Sequence, residues 1–303
     1  MAALLVTAAG IFFLVGTTAT QVANKELPKL LPASPSPSPK ARISFAKLAA
    51  APLDPKKIET VGKDIPEPHG LGVFDGVLYA SSWGDKQLYR IDLATGQRKS
   101  LADELPGLHD MVIDQEGGIV APDFKAGRVV RVERNSGKVS KLAEGLKGPN
   151  GIATARTGGY YVTEANGGRV VRVLPDGQVQ TVKDKLSEPA GILSDNDNIL
   201  LVAQYADTNN AVIQISDNGT TTTVARGLAN AESLLRDEER NVIIGHQVNG
   251  KAALSIFPRN QAVRPLLTTD LPGPMVGPVT DGKYLYFESA APGQTQVYRI
   301  ALP

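Results

Sequence analysis

The sequence predicts an all-β fold, a six-bladed β-propeller, on three observations. From Ile58 onward the chain repeats itself at a period of about forty residues. Each repeat holds four short runs of strand composition. The last repeat is one run short, and the N-terminal end has one run to spare. Composition agrees: 30 glycines and 21 prolines are too many for a helical protein and, without a three-residue period, too few for collagen. They suit short strands joined by tight turns.

Composition also excludes several functions. A net charge of +1 supplies no field for nucleic acid or an anionic surface. With no cysteine in the chain, disulfides, thiolate nucleophiles and sulfur-ligated metals are ruled out.

Taken in order, the chain opens with "MAALLVTAAGIFFLVGTTATQVAN", residues 1–24, which carries no charged side chain before Lys25. Its apolar part, Ala2 to Val15, has the length of a signal-peptide core and is short for a membrane span of ~20 residues. Thr17-Thr18-Ala19 and Gln21-Val22-Ala23 are alternative candidates for a small-residue cleavage site. The basic start of a typical signal is missing, so an uncleaved membrane anchor stays open beside a cleaved signal. Residues 25–55 contain "LPASPSPSPKARISF", where alternating Pro and Ser makes an extended spacer. Export signal, tether and absent cysteine together place the folded domain, 56–303, outside the cytoplasm, periplasmic or secreted.

The repeats follow. "GPNGIATARTGGYYVTEANGGRVVRVLPDGQVQTV" (148–182) matches the preceding "GLHDMVIDQEGGIVAPDFKAGRVVRVERNSGKVSKL" at an offset of 41 residues, with a one-residue adjustment at the last turn. Each unit has a run after Pro-x-Gly, one like "YYVT", one like "VVRV", a turn like "PDGQ" and a closing run like "VQTV". Four strands per forty residues, repeated around a circle, make a propeller blade, and six cores are counted. Pro303 follows the third strand of the last unit. The missing fourth strand is found in "IETVGKDIPEPHG" (58–70), which aligns without a gap on "VQTVKDKLSEPAG" (179–191). Ile58 to Val61 is therefore expected to complete the last blade and close the ring, removing free sheet edges.

The period converts sequence position into place. The loop entering each first strand and the loop leaving each second strand lie on one face, around the central channel. The first-strand position reads His69, His109, Asn150, Ala190, Glu232 and Met275; the second-strand end reads Ser82, Asp123, Glu164, Gln204, His246 and Ser289. All three histidines of the chain fall among these twelve positions. Imidazole, carboxylate and amide converging on one mouth suit a divalent metal, with His69, His109, Asn150, Glu232 and His246 as candidate ligands. Asp123 and Glu164 are candidate general bases, or else fasteners that bond backbone between blades. Asn150 in Pro-Asn-Gly has a second reading as a turn residue. Arg128, Arg131, Arg169 and Arg172 recur in register and read as solvated strand faces; Trp83, Tyr160 and Tyr161 read as packing between blades.

"GPNGIATARTGGYYVTEANGGRVVRV" resembles an NHL-type propeller repeat. It is also similar to repeats of the gluconolactonase and regucalcin family and of virginiamycin B lyase, a resemblance running from about Ile58 to Pro303. It implies a divalent ion, often calcium, at the channel mouth, held by the Glu of Glu-Gly-Pro, the Asn of Pro-Asn-Gly and the Asp of Pro-Asp-Gly. Pro149-Asn150-Gly151 matches the second motif. The first is absent, and Glu232 supplies a carboxylate at the equivalent position of another blade. Pro175-Asp176-Gly177 falls between third and fourth strands, and the next first-strand position is Ala190. The histidines tilt the metal toward zinc, manganese or iron. The implied function is a metal-dependent hydrolase or lyase of a small lactone or ester; the alternative is a tethered propeller that binds a protein or glycan without turnover.

Overall fold

The computed structural model describes Phe45, Leu48 and residues 51–196, 199–258 and 261–303. The segment read as export signal or anchor, and the Pro/Ser run after it, lie outside the described residues. Among those described, no helix is long and apolar enough to cross a membrane.

Six four-stranded antiparallel sheets follow one another along the chain as six blades. Blade 1 runs from Pro68–Phe74 through Arg98–Ala102, and blade 3 from Pro149–Thr154 through Val179–Lys183. Strand Glu59–Gly62 pairs antiparallel with Val297–Ala301 and is the outer strand of blade 6, so the N-terminal strand and the three C-terminal ones share one sheet. The only helical elements among the described residues are single 3₁₀ turns at Pro55–Lys57 and Thr208–Asn210.

Third strands illustrate why these residues form blades. In Arg169–Val173, "RVVRV", all three valines are buried while both arginines reach outward. Two consecutive β-branched residues point to opposite faces of a strand, so burial of both means the sheet is covered on both sides, as packing between neighbouring blades requires. The turn after it is closed by Leu174 N–H donating to Gln178 O at 2.8 Å and by Asp176 Oδ1 accepting from Gln178 N–H at 3.0 Å. Gly177 supplies the left-handed backbone there, at φ +84°.

The glycine of Pro-x-Gly has a different origin. A Cβ on Gly70, Gly151 or Gly191 would come within 1.6 Å of His109 O, 2.4 Å of Ala190 O or 2.6 Å of Glu232 O. Each of those carbonyls belongs to the first-strand position of the next blade or its entry. Glycine is thus needed where adjacent blades touch around the channel, and the residue before it is carried to the mouth.

Two residues of the segment read as spacer belong to the folded body. Phe45 and Leu48 are buried in the core cluster of blades 5 and 6 with Leu254, Ile256, Leu266 and Phe287. The Phe45 amide donates to Asp237 Oδ2 at 2.5 Å. The packed chain therefore begins earlier than residue 56, because two apolar side chains after the Pro/Ser run find a groove in which to bury.

Candidate functional site

Four of the five metal-ligand candidates meet at the channel mouth. The His69, His109 and Glu232 ligand atoms all lie within 4.8 Å of one another. His69 Nε2 is 3.4 Å from Glu232 Oε1, and the Asn150 amide nitrogen is 3.4 Å from His109 Nε2. Blades 1, 2, 3 and 5 each contribute one of these residues.

The two imidazoles are held by neighbouring rings. His69 stacks on Trp83 with centroids 4.1 Å apart, and meets His109 edge-on at 4.3 Å. Trp83 is fixed in turn by its indole N–H, which donates to Leu108 O at 2.9 Å, and by the Lys125 ammonium 4.5 Å from its ring centroid. Phe124 completes the cluster against Trp83 and His109. Burial, reinforced by the charge of His69, holds the His109 pKa well below its ordinary value. At neutral pH His109 is therefore an uncharged imidazole with a lone pair to offer.

These four residues separate two spaces. Outside is an open bowl of about 250 Å³; inside is a pocket of about 20 Å³, room for one water, bordered by Gly70, Asp110, Ser233 and Gly277. Burial raises Asp110 to about 7, even though its carboxylate accepts from Met111 N–H at 2.9 Å and Ile152 N–H at 3.5 Å. Behind the inner pocket Glu288 is completely buried, and neither of its oxygens has a hydrogen-bond partner among the described residues. Burial pushes its pKa well up; the nearby Gly70 amide opposes the rise and the charge of Glu232 adds to it.

The remaining candidates are placed differently. His246 lies in blade 5 with Nε2 2.8 Å from Ser255 Oγ and Nδ1 3.2 Å from Gln247 O. It is satisfied within its own sheet and is not in the metal-capable group. Asp123 is fully buried and takes Arg128 Nε–H at 3.0 Å. Glu164, also fully buried, takes Arg169 through both oxygens at 2.6 and 3.0 Å. Both carboxylates are fasteners within their blades, and Arg128 and Arg169 are their partners rather than plain solvated residues.

The reason is the alternation of a strand. The second-strand end points into the blade, so the next residue faces the mouth: Trp83, Phe124, Ala165, Tyr205 and Ala290 all line the bowl. Trp83 is accordingly a wall of the site and not packing between blades. These residues were within reach of the sequence, one step along the same register. Tyr205 is also raised in pKa, chiefly by burial and then by the Glu232 charge, so its phenol stays protonated as a donor beside the floor.

Two imidazoles and a carboxylate, with one imidazole neutral, match the His₂Glu type of site that leaves a position open for water. Calcium prefers six to eight oxygens, and of the four converging side chains only Glu232 and Asn150 carry oxygen.

No family model matches the chain, and no curated protein matches it. Solved structures do. A gluconolactonase from Xanthomonas campestris superposes with a TM-score of 0.70 at 17% identity, covering 90% of this chain and 99% of that one. The virginiamycin B lyase of Staphylococcus aureus gives 0.60 at 16% identity over 82% of this chain and 99% of that one. A calcium-binding regucalcin from Agrobacterium tumefaciens gives 0.63 at 12% identity, with 82% and 94% covered. The chain shares its fold with the gluconolactonase, regucalcin and virginiamycin B lyase propellers. At these identities the likeness is one of architecture, and the residues at the mouth carry the chemistry.

Proposed function

We propose that this protein is an extracytoplasmic, metal-dependent hydrolase or lyase that opens a small lactone or ester in the bowl at the channel mouth. The observation that carries this reading is the meeting of His69, His109 and Glu232 within 4.8 Å at the floor of an open cavity. With two nitrogen donors in the set, the ion is zinc, manganese or iron. Bound there, it would polarise an ester carbonyl and bring a water molecule's pKa toward neutrality.

The chain's own groups prepare that chemistry. Trp83 fixes the plane of His69, and Asn150 sits against His109 Nε2. His109 stays uncharged because it is buried. Tyr205 keeps its proton and offers a hydrogen bond to an oxygen of the substrate.

A second reading, a non-catalytic binding propeller for a protein or glycan ligand, is favoured by one observation: Asp123 and Glu164 are engaged by Arg128 and Arg169 and are not free to act as bases. A chelation assay separates the two. If the protein is an enzyme, removing metal from it lowers lactone or ester hydrolysis to the uncatalysed background, and added zinc or manganese restores it. Hydrolysis above background that is indifferent to chelation contradicts the metal-dependent reading, and absence of turnover for every lactone and ester tried with metal present favours the binding propeller. The extracytoplasmic location rests on residues 1–24 and is tested by N-terminal sequencing: a mature chain starting after Ala19 or Ala23 supports export with cleavage, whereas Met1 retained on a membrane fraction supports the anchor.

A further inference from the structure

We propose that the bowl selects a neutral cyclic ester with a flat apolar body and rejects a polyhydroxylated sugar lactone. The proposal deepens the reading of the mouth as a lactone or ester site and rests on it for the orientation of the ligand, carbonyl toward His69, His109 and Glu232.

The wall between floor and rim is built mainly from carbon. Trp83 and Phe124 stand on blades 1 and 2, Tyr205 on blade 4, and Ala165, Pro274 and Ala290 fill the spaces between them. In a ring of six, blades 1 and 4 face each other, so a flat ligand entering the bowl lies between the aromatic group of Trp83 and Phe124 and the ring of Tyr205. The indole N–H of Trp83 is already donated to Leu108 O at 2.9 Å. Its ring therefore offers no polar handle, and with His69 stacked on it and the Lys125 ammonium over it, Trp83 meets a ligand through the part of its apolar surface that borders the bowl.

Hydroxyl groups fare badly against such a wall. A hydroxyl taken out of water without a partner loses its hydration uncompensated, and a sugar lactone brings one on nearly every ring carbon. Above the floor, Asn166, Glu188 and the Tyr205 hydroxyl are the polar groups that border the bowl. An anionic ligand meets the carboxylates of Glu188 and Glu232. The volume, about 250 Å³, is small for a ligand pocket and suits one or two fused rings.

Trp83 is the only tryptophan in the chain, so its fluorescence reports on this bowl alone. The full-length protein is titrated with dihydrocoumarin, a fused aromatic lactone, and with glucono-δ-lactone, before and after chelation so that turnover does not distort the curve. Dihydrocoumarin is expected to change the emission saturably, with a dissociation constant below about 1 mM, and glucono-δ-lactone to bind at least about tenfold more weakly. Phe124→Ala and Tyr205→Ala are each expected to weaken dihydrocoumarin about tenfold. Phe124 also packs on His109, so if Phe124→Ala fails to melt cooperatively, Tyr205→Ala decides. Equal or tighter binding of glucono-δ-lactone, no response to either probe, or a Tyr205→Ala variant that binds dihydrocoumarin like the parent would overturn the proposal. Saturable, selective binding of dihydrocoumarin without hydrolysis, even with zinc added, would uphold the selectivity and sink the enzyme reading.

Discussion

At the scale of single residues, Glu164 and Glu288 show how similar carboxylates acquire opposite roles. Glu164 is buried but receives both guanidinium hydrogen bonds of Arg169. Replacing Arg169 with Ala leaves a buried carboxylate without its partner, which is expected to cost about 2 kcal/mol of stability, measured by denaturant unfolding. Metal binding should not change, since Glu164 takes no part in the floor. Glu288 is buried with only the Gly70 amide set against the loss of water, so its pKa is raised. The folded state then holds a proton that the unfolded chain has lost above about pH 4.3, and stability declines as pH rises from there toward the folded-state value. Glu288→Gln removes that decline: its melting temperature should exceed the parent's at pH 8 and approach it near pH 4. A variant that melts lower than the parent at pH 8 would show that the carboxylate is ionised and partnered. Residue identities at the first-strand position were legible because they repeat, and they gave His69, His109, Asn150 and Glu232. Glu288 and Asp110 were not legible, since their importance comes from burial beside the channel, which no local pattern encodes.

At the scale of elements, the repeat made strands, turns and blade boundaries readable, because each blade reuses the same turn chemistry and the same glycine at the contact with its neighbour. What the repeat did not give was the direction of the side chain at the end of the second strand. A shift of one residue turns a strand side chain to the other face, and that shift separates Asp123, bound to Arg128, from Phe124 in the bowl. His246 was misplaced by the same step and is satisfied by Ser255. The strand Glu59–Gly62 carries a testable consequence of its own: it covers the edge of Val297–Ala301. A chain starting at residue 63 exposes that edge and is expected to aggregate in size-exclusion chromatography. A chain starting at residue 41 keeps Phe45, Leu48 and the closing strand, and should elute as a folded species with the melting temperature of the full chain.

At the scale of the whole molecule, the ring is a device for bringing distant segments together: residues 69, 109, 150 and 232 meet although 163 positions separate the first from the last. The fold supplies the mouth, and neutral His109 beside His69 and Glu232 forms a cluster that could hold a metal ion through nitrogen as well as oxygen. We propose that this cluster holds an ion. Elemental analysis by mass spectrometry of the purified protein and of the His109→Ala, Glu232→Ala double variant tests it directly. The parent is expected to hold about one zinc, manganese or iron per chain and the double variant none, with both proteins melting cooperatively. Equal metal content in a folded double variant, or a parent that takes up no divalent ion when one is supplied, would contradict it.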